Sequence, residues 1–198
     1  MLFYYTGSKF FVDIEHSTND RFSSTSNFST NTDNIIDVIY DGSLTAANRS
    51  KIYFGESLDK TSTETSASIL NNNSPLNIGT THDLDNRPFG GYIAEVIIYT
   101  VTVNDAQRII VNNYLSSKYN IALSANDKYA GDTPGNGDFD KNLAGVGAEA
   151  SGSNPTFSAT TSLGLGIKTL SGLGTGDYIL AGHATATNSV NILDIGGI

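Results

Sequence analysis

The residues best placed for chemistry are Asp13 and Glu15, in the run FFVDIE at 10–15. Side chains alternate along a strand, so Phe11, Asp13 and Glu15 share one face while Phe10, Val12 and Ile14 share the other. Two carboxylates on one face are the equipment of a glycosidase. Retaining hydrolysis sets the pair about 5–5.5 Å apart and inverting hydrolysis about 6.5–9.5 Å. Neighbours two apart on a strand sit about 6.6 Å apart at Cα, so spacing alone permits the inverting reaction. The same alternation is also the ordinary pattern of a half-buried strand.

A second cluster is DTPGNGDFD, where Asp132, Asn136, Asp138 and Asp140 offer oxygen ligands at short spacings among glycines. Calcium takes six to eight hard oxygens, and glycine permits the turns that aim them inward. The run lacks the order of an EF-hand loop, and Asp, Asn and Gly are also the default residues of a plain turn. Calcium is the cofactor this pattern would fit. Tyr40 and Tyr53, with Tyr4, Tyr5 and Tyr92, could stack on sugar rings, although tyrosine also packs well on strands. His16, His82 and His183 show no metal-binding spacing, and no G-x-S-x-G elbow supplies a nucleophilic serine. The glycines of GLGTGDY at 172–178 lack the Lys-Ser/Thr of a phosphate loop and read as turn formers. Asp37 and Asp41 flank VIY without any motif that assigns them a role, and Asp41-Gly42 is a hairpin signal.

The elements that must hold these residues are mostly β. Ten Tyr, nine Phe and twenty Gly stand beside only 16% charged residues, a composition that favours strands and turns. A net charge of −9 without a basic cluster argues against nucleic acid, whose phosphates need Lys and Arg. The absence of cysteine removes disulfides, thiolate nucleophiles and Cys-bound zinc. The longest apolar run, YIAEVIIYTV, contains Glu95 and is half the length of a membrane span, so no membrane insertion is expected. The opening MLFYYTGSKFFV lacks the basic start and small-residue cleavage site of a signal peptide, and the chain reads as a piece of a larger protein.

Strands are expected at 2–5, 9–15, 34–42, 50–55, 76–79 and 91–101, joined by turn-rich connections. From Asn104 the period changes: Asn104 as cap, Asp105 in the first turn and Gln107 three residues on predict one helix over 104–119. Its Ile109, Ile110, Tyr114 and Leu115 would pack on the preceding sheets. Further strands are expected at 143–149, 163–170, 176–183 and 189–195. The fold class is thus all-β, an antiparallel sandwich with one packing helix. The expected domains are 1–121, a turn-rich linker or loop over 122–142, and a smaller β-rich region over 143–198.

The runs IIDVIYDGS, NRSKIYFGE and PFGGYIAEVIIYTVTVNDAQRIIVNNYLSSKYNI resemble the second half of the laminin-G-like, concanavalin-A-type jelly-roll modules of large secreted Bacteroidetes proteins. The likeness covers roughly 8–121. It implies a partial jelly-roll sandwich, other domains in a larger parent chain, and secretion or display at the cell surface. The remainder, from GDFDKNLAGVGAE onward, is similar to the β-rich segment of no established activity that follows such modules. FFVDIE also resembles the E-x-D-x-E strand of laminarinase-type glucanases, but Phe11 stands where those enzymes carry their nucleophile. The resemblances therefore imply a non-catalytic binding or adhesion module for a glycan or a surface protein, with Asp13, Glu15, Tyr40 and Tyr53 as candidate contacts. A glycoside hydrolase on the same sandwich and a structural spacer are the alternatives.

Overall fold

A computed structural model describes residues 2–6, 8–15, 19–29, 31–69, 77–80, 89–153, 157–159, 166–168, 172–185 and 195–196. Among them the protein is β-rich, with four small sheets and one α-helix. The chain divides into two compact units, one of Met1–Thr32, Val38–Tyr53 and Leu58–Thr102, the other of Asp33–Asp37, Phe54–Ser57 and Val103–Ile198.

In the first unit, β1 (Leu2–Thr6), β2 (Lys9–Glu15) and β3 (Asn19–Ser23) form an antiparallel meander. Thr6 lies opposite Lys9, and Ser8 between them takes a left-handed φ of 70°, as a tight hairpin connection demands. Beyond β3, Ser24 N–H donates to Phe10 O and Phe28 N–H to Ser8 O. Phe28 thereby comes within 6.2 Å of Phe10, ring to ring. Val12 is fully buried.

A second three-stranded sheet runs β4 (Ile36–Tyr40), β5 (Ser50–Phe54), β6 (Ser57–Ser62). The Asp41-Gly42 signal opens a longer connection than a hairpin turn. Asp41 Oδ1 accepts from Ser43 N and Oγ, a 3-10 turn occupies Ala46–Asn48, and Arg49 returns to bond the carbonyls of Leu44, Glu64 and Thr65.

In the second unit, α1 (Asp105–Tyr119) starts as its cap residues require. Asn104 Oδ1 accepts from Gln107 N–H and Gln107 Oε1 accepts from Asn104 N–H, a reciprocal capping box. Asn104 Nδ2 also donates to Ser153 O. The helix ends at Asn120 in the left-handed conformation, with the Asn120 and Ile121 N–H groups both returned to Ser116 O.

The helix packs on β7 (Lys141–Glu149), which lies in the order β12-β11-β7-β8 with β8 (Gly152–Ser153), β11 (Tyr178–His183) and β12 (Ile195–Gly196). β9 (Phe157–Ala159) and β10 (Gly166–Lys168) form a separate pair. The core joins Ile110, Tyr129, Leu143 and Leu180, flanked by Tyr114, Phe139 and Tyr178. Gly145 and Gly147 make that packing possible. A Cβ on either would collide with Leu180 or Tyr178 of the opposing strand.

Several expectations change here. The helix packs chiefly on the later strand β7, and its buried face carries Arg108, Asn112, Asn113, Ser116 and Ser117 beside Ile109 and Ile110. The 122–142 segment, expected as a linker or loop, holds two 3-10 turns and the core residue Tyr129, whose hydroxyl donates to Phe139 O. The 91–101 run is not a strand, and of the strand expected at 76–79 the described residues 77–79 are not one either. NDRFS and SLDKTS are strands that their weak apolar pattern hides. The expected strands at 163–170 and 189–195 lie largely outside the described residues, which retain Gly166–Lys168 and Ile195.

Replacing Asn104 with Ala removes both the cap and the bond to Ser153. A loss of about 1–2 kcal/mol is expected in chemical denaturation, with the helical circular-dichroism signal retained in the native baseline.

Candidate functional site

The second unit contains a cavity of about 260 Å³ built from three stretches distant in sequence: 33–35, 54–57 and 121–124. The αL end of α1 delivers the last stretch, turning the chain at Asn120. The cavity presents Asp33, Asn34, Glu56, Ser57 and Ser124 as polar groups and Phe54 as an aromatic ring.

Glu56 locks two of these stretches together. Its Oε1 accepts from Ser124 N–H at 2.7 Å, Ala125 N–H at 2.7 Å and the Ser124 hydroxyl. Burial alone would raise its pKa, but these donors outweigh burial and hold the carboxyl below its ordinary value. Glu56 is thus an ionised acceptor at neutral pH, not a proton donor.

Behind the cavity stretches lies a buried polar cluster. Asn112 Nδ2 donates to Asp37 Oδ2 and to Gly55 O, each at 2.9 Å. Arg108 Nη1 donates to Glu56 O at 3.3 Å and stands 3.8 Å from Asp37 Oδ2, while its Nη2 is 3.5 Å from Asp105. Asn113, its neighbour, bonds Ile109 O, Asn126 O and Lys128 N–H, which fixes the segment after the helix. Burial raises the Asp37 carboxyl from 3.8 to about 6, and the Asn112 and Arg108 contacts offset only part of that rise.

The residues singled out by sequence fall elsewhere. Asp13 and Glu15 lie on β2, Asp13 opposite Arg21 and Glu15 opposite Asn19 in backbone register. Their side chains lie outside the described residues, as do His16 and His82 entirely. Tyr40 is half-buried and its hydroxyl donates to Ser66 O. Tyr53 is 6% exposed and belongs to the core, so it offers no face to a sugar. His183 is buried at the end of β11, its Nε2 without a hydrogen-bond partner among the described residues.

Among the described residues no three His, Asp or Glu side chains converge on a common point. Asn136 Nδ2 donates to Ala130 O and Asp140 pairs with Lys141 at 2.9 Å. Burial raises the Asp132 carboxyl, and the negative charges of Asp127, Asp140 and Asp138 raise it further. No helix among the described residues is long and apolar enough to cross a membrane.

Sequence reasoning missed Asp33, Asn34, Glu56 and Ser124, because ordinary turn residues carry no sign of which distant turn they meet. The signal that existed was Asn112-Asn113, two poor helix formers in mid-helix. No protein-family model, curated protein or solved structure matches this chain.

Two measurements follow from this geometry. A folded-state pKa above the unfolded value means that the fold binds the extra proton, so Asp37 lowers stability as pH rises from about 4 to 6. Asp37→Asn is expected to remove that slope, on the order of 3 kcal/mol across the window, read as denaturation free energy against pH. Glu56→Ala should cost about 1–3 kcal/mol by stranding its donors and speed hydrogen exchange at Ser124 and Ala125, with Glu56→Gln intermediate.

Proposed function

We propose that this chain is a non-catalytic binding module of the jelly-roll sandwich type, secreted or held at a cell surface, that takes a glycan in the cavity of its second unit. The observation that carries this reading is the cavity's chemistry: carboxylate, amide and hydroxyl groups beside one aromatic ring. Sugar hydroxyls need planar donors and acceptors, and the apolar face of a pyranose needs a ring or other flat apolar surface. At about 260 Å³ the cavity is smaller than the roughly 300–1,000 Å³ typical of drug-sized ligands. It suits one terminal sugar residue of a longer chain.

Two observations weigh toward binding without hydrolysis. Glycoside cleavage requires a carboxylic acid that holds a proton until the leaving oxygen takes it. Glu56 in the cavity is kept ionised by its three donors, and the resemblance of FFVDIE to a glucanase strand would put Phe11 where those enzymes carry their nucleophile. Calcium assistance would have to come through the 132–140 loop, and other domains of a parent chain or a surface protein would be the macromolecular partners.

A glycan array probed with the intact chain, with and without chelator, tests the reading. Binding to glycans that share a terminal sugar is expected, unchanged by chelator and weakened tenfold or more in an Asn34→Ala, Ser57→Ala double variant. Chelator-sensitive binding would move the site to the acidic loop, and release of free sugar would make the protein a hydrolase. Silence in both conditions would leave a structural spacer.

A further inference from the structure

We propose that the cavity of the second unit selects a ligand that carries a protonated amine. On the glycan reading, on which this inference rests, the occupant is a terminal amino sugar whose ammonium group is free. The charges on the lining are all of one sign: Asp33 and Glu56 belong to it, and no Lys, Arg or His does. Among the described residues Asp33 enters no ion pair or hydrogen bond. The three bonds that Glu56 accepts from Ser124 and Ala125 all end on Oε1, and no other described residue donates to Oε2. Glu56 is only 7% exposed, yet Oε2 is not sealed away, and the open space that Glu56 lines is the cavity. Hydrogen-bond donors alone hold this carboxyl below its usual range, with no cation contributing. Arg108 reaches the backbone carbonyl of Glu56, and its charge is taken up by Asp37 and Asp105.

A buried anion without a counter-charge burdens the fold, and a cationic ligand relieves it. An ammonium N–H gives a carboxylate a charge-assisted bond, roughly twice as strong as the bond between neutral partners. Water expelled on binding strengthens that attraction. Acidic sugars meet the opposite field: a carboxylate or sulfate brought beside Asp33 and Glu56 is repelled, and no basic group of the lining receives it. The chain's net charge of −9 adds long-range attraction for cations. A divalent metal suits the cavity less well. Calcium takes six to eight oxygens, and among the described residues no three acidic or His side chains converge. Phe54, Ile121 and Leu123 give the carbon skeleton of a sugar an apolar surface to lie against.

Titration of the intact, isotope-labelled chain, followed at the Ser124 and Ala125 amide resonances, tests the selection. The probes are the methyl glycosides of glucosamine, N-acetylglucosamine and glucose, which differ only in the ammonium, acetamide or hydroxyl on one ring carbon. In slightly acidic buffer the glucosaminide should bind about tenfold tighter than either of the others. That margin should vanish once the pH exceeds the pKa of its amine and the ligand is neutral. Asp33→Asn and Glu56→Gln should each shrink the margin severalfold, whereas Asp138→Asn, which removes a charge outside the lining, should leave it unchanged. Asp33 is exposed and unpaired among the described residues, so its variant reports on selection even where Glu56→Gln loosens the wall. Equal affinity for the three glycosides would overturn the ammonium inference and leave the glycan reading standing. Cyclohexylammonium bound as tightly as the glucosaminide would support ammonium selection and overturn the glycan reading. No shift with any of the four would overturn both, and equal shifts with calcium chloride alone would overturn the inference in favour of a metal.

Discussion

The second unit depends on the buried amide of Asn112. Its Nδ2 group reaches Asp37 and the carbonyl of Gly55 together, and so ties the helix to two stretches that precede it by dozens of residues. Buried polar groups must find partners, and here the obligation is what recruits 33–37 and 54–57 to a unit otherwise made from 103 onward. Arg108, one turn earlier, adds its hydrogen bond to Glu56 O. The cavity exists because these contacts bring its walls together. A helix with a wholly apolar face would pack on β7 equally well and would gather neither stretch.

This dependence has an energetic cost. Asp37 is enclosed deeply enough that its charged form is disfavoured, even with an amide and a guanidinium beside it. Burying a carboxylate is tolerable only when the geometry around it is good, and is rarely the cheapest route to stability. Glu56 shows the opposite balance, since three short donors more than offset its burial. The two acids thus mark the difference between a carboxylate that burdens the fold and one that organises a loop.

What could be read from sequence was what depends on near neighbours. The start of α1 was legible because Asn104 and Gln107 satisfy each other's backbone across three residues. The strands at 2–6, 9–15, 141–149 and 178–183 were legible from their apolar runs. β3 and β6 were not, since NDRFS and SLDKTS become strands only through the neighbours they pair with. The converse error came at 91–101, where propensity was strong and the run forms no strand. The candidate site was the least legible part: Asp33, Glu56 and Ser124 meet through chain reversals that no local pattern encodes. Tyr53 misled for a related reason, because a tyrosine that stacks and one that fills a core look alike in sequence.

A single oxygen of Glu56 holds Ser124 and Ala125. The carboxylate fixes the shape of the wall, which Asp33, Asn34 and Ser57 also line. One carboxylate oxygen thus makes Glu56 and the Ser124–Ala125 turn a single mechanical piece, although 68 residues of chain separate them.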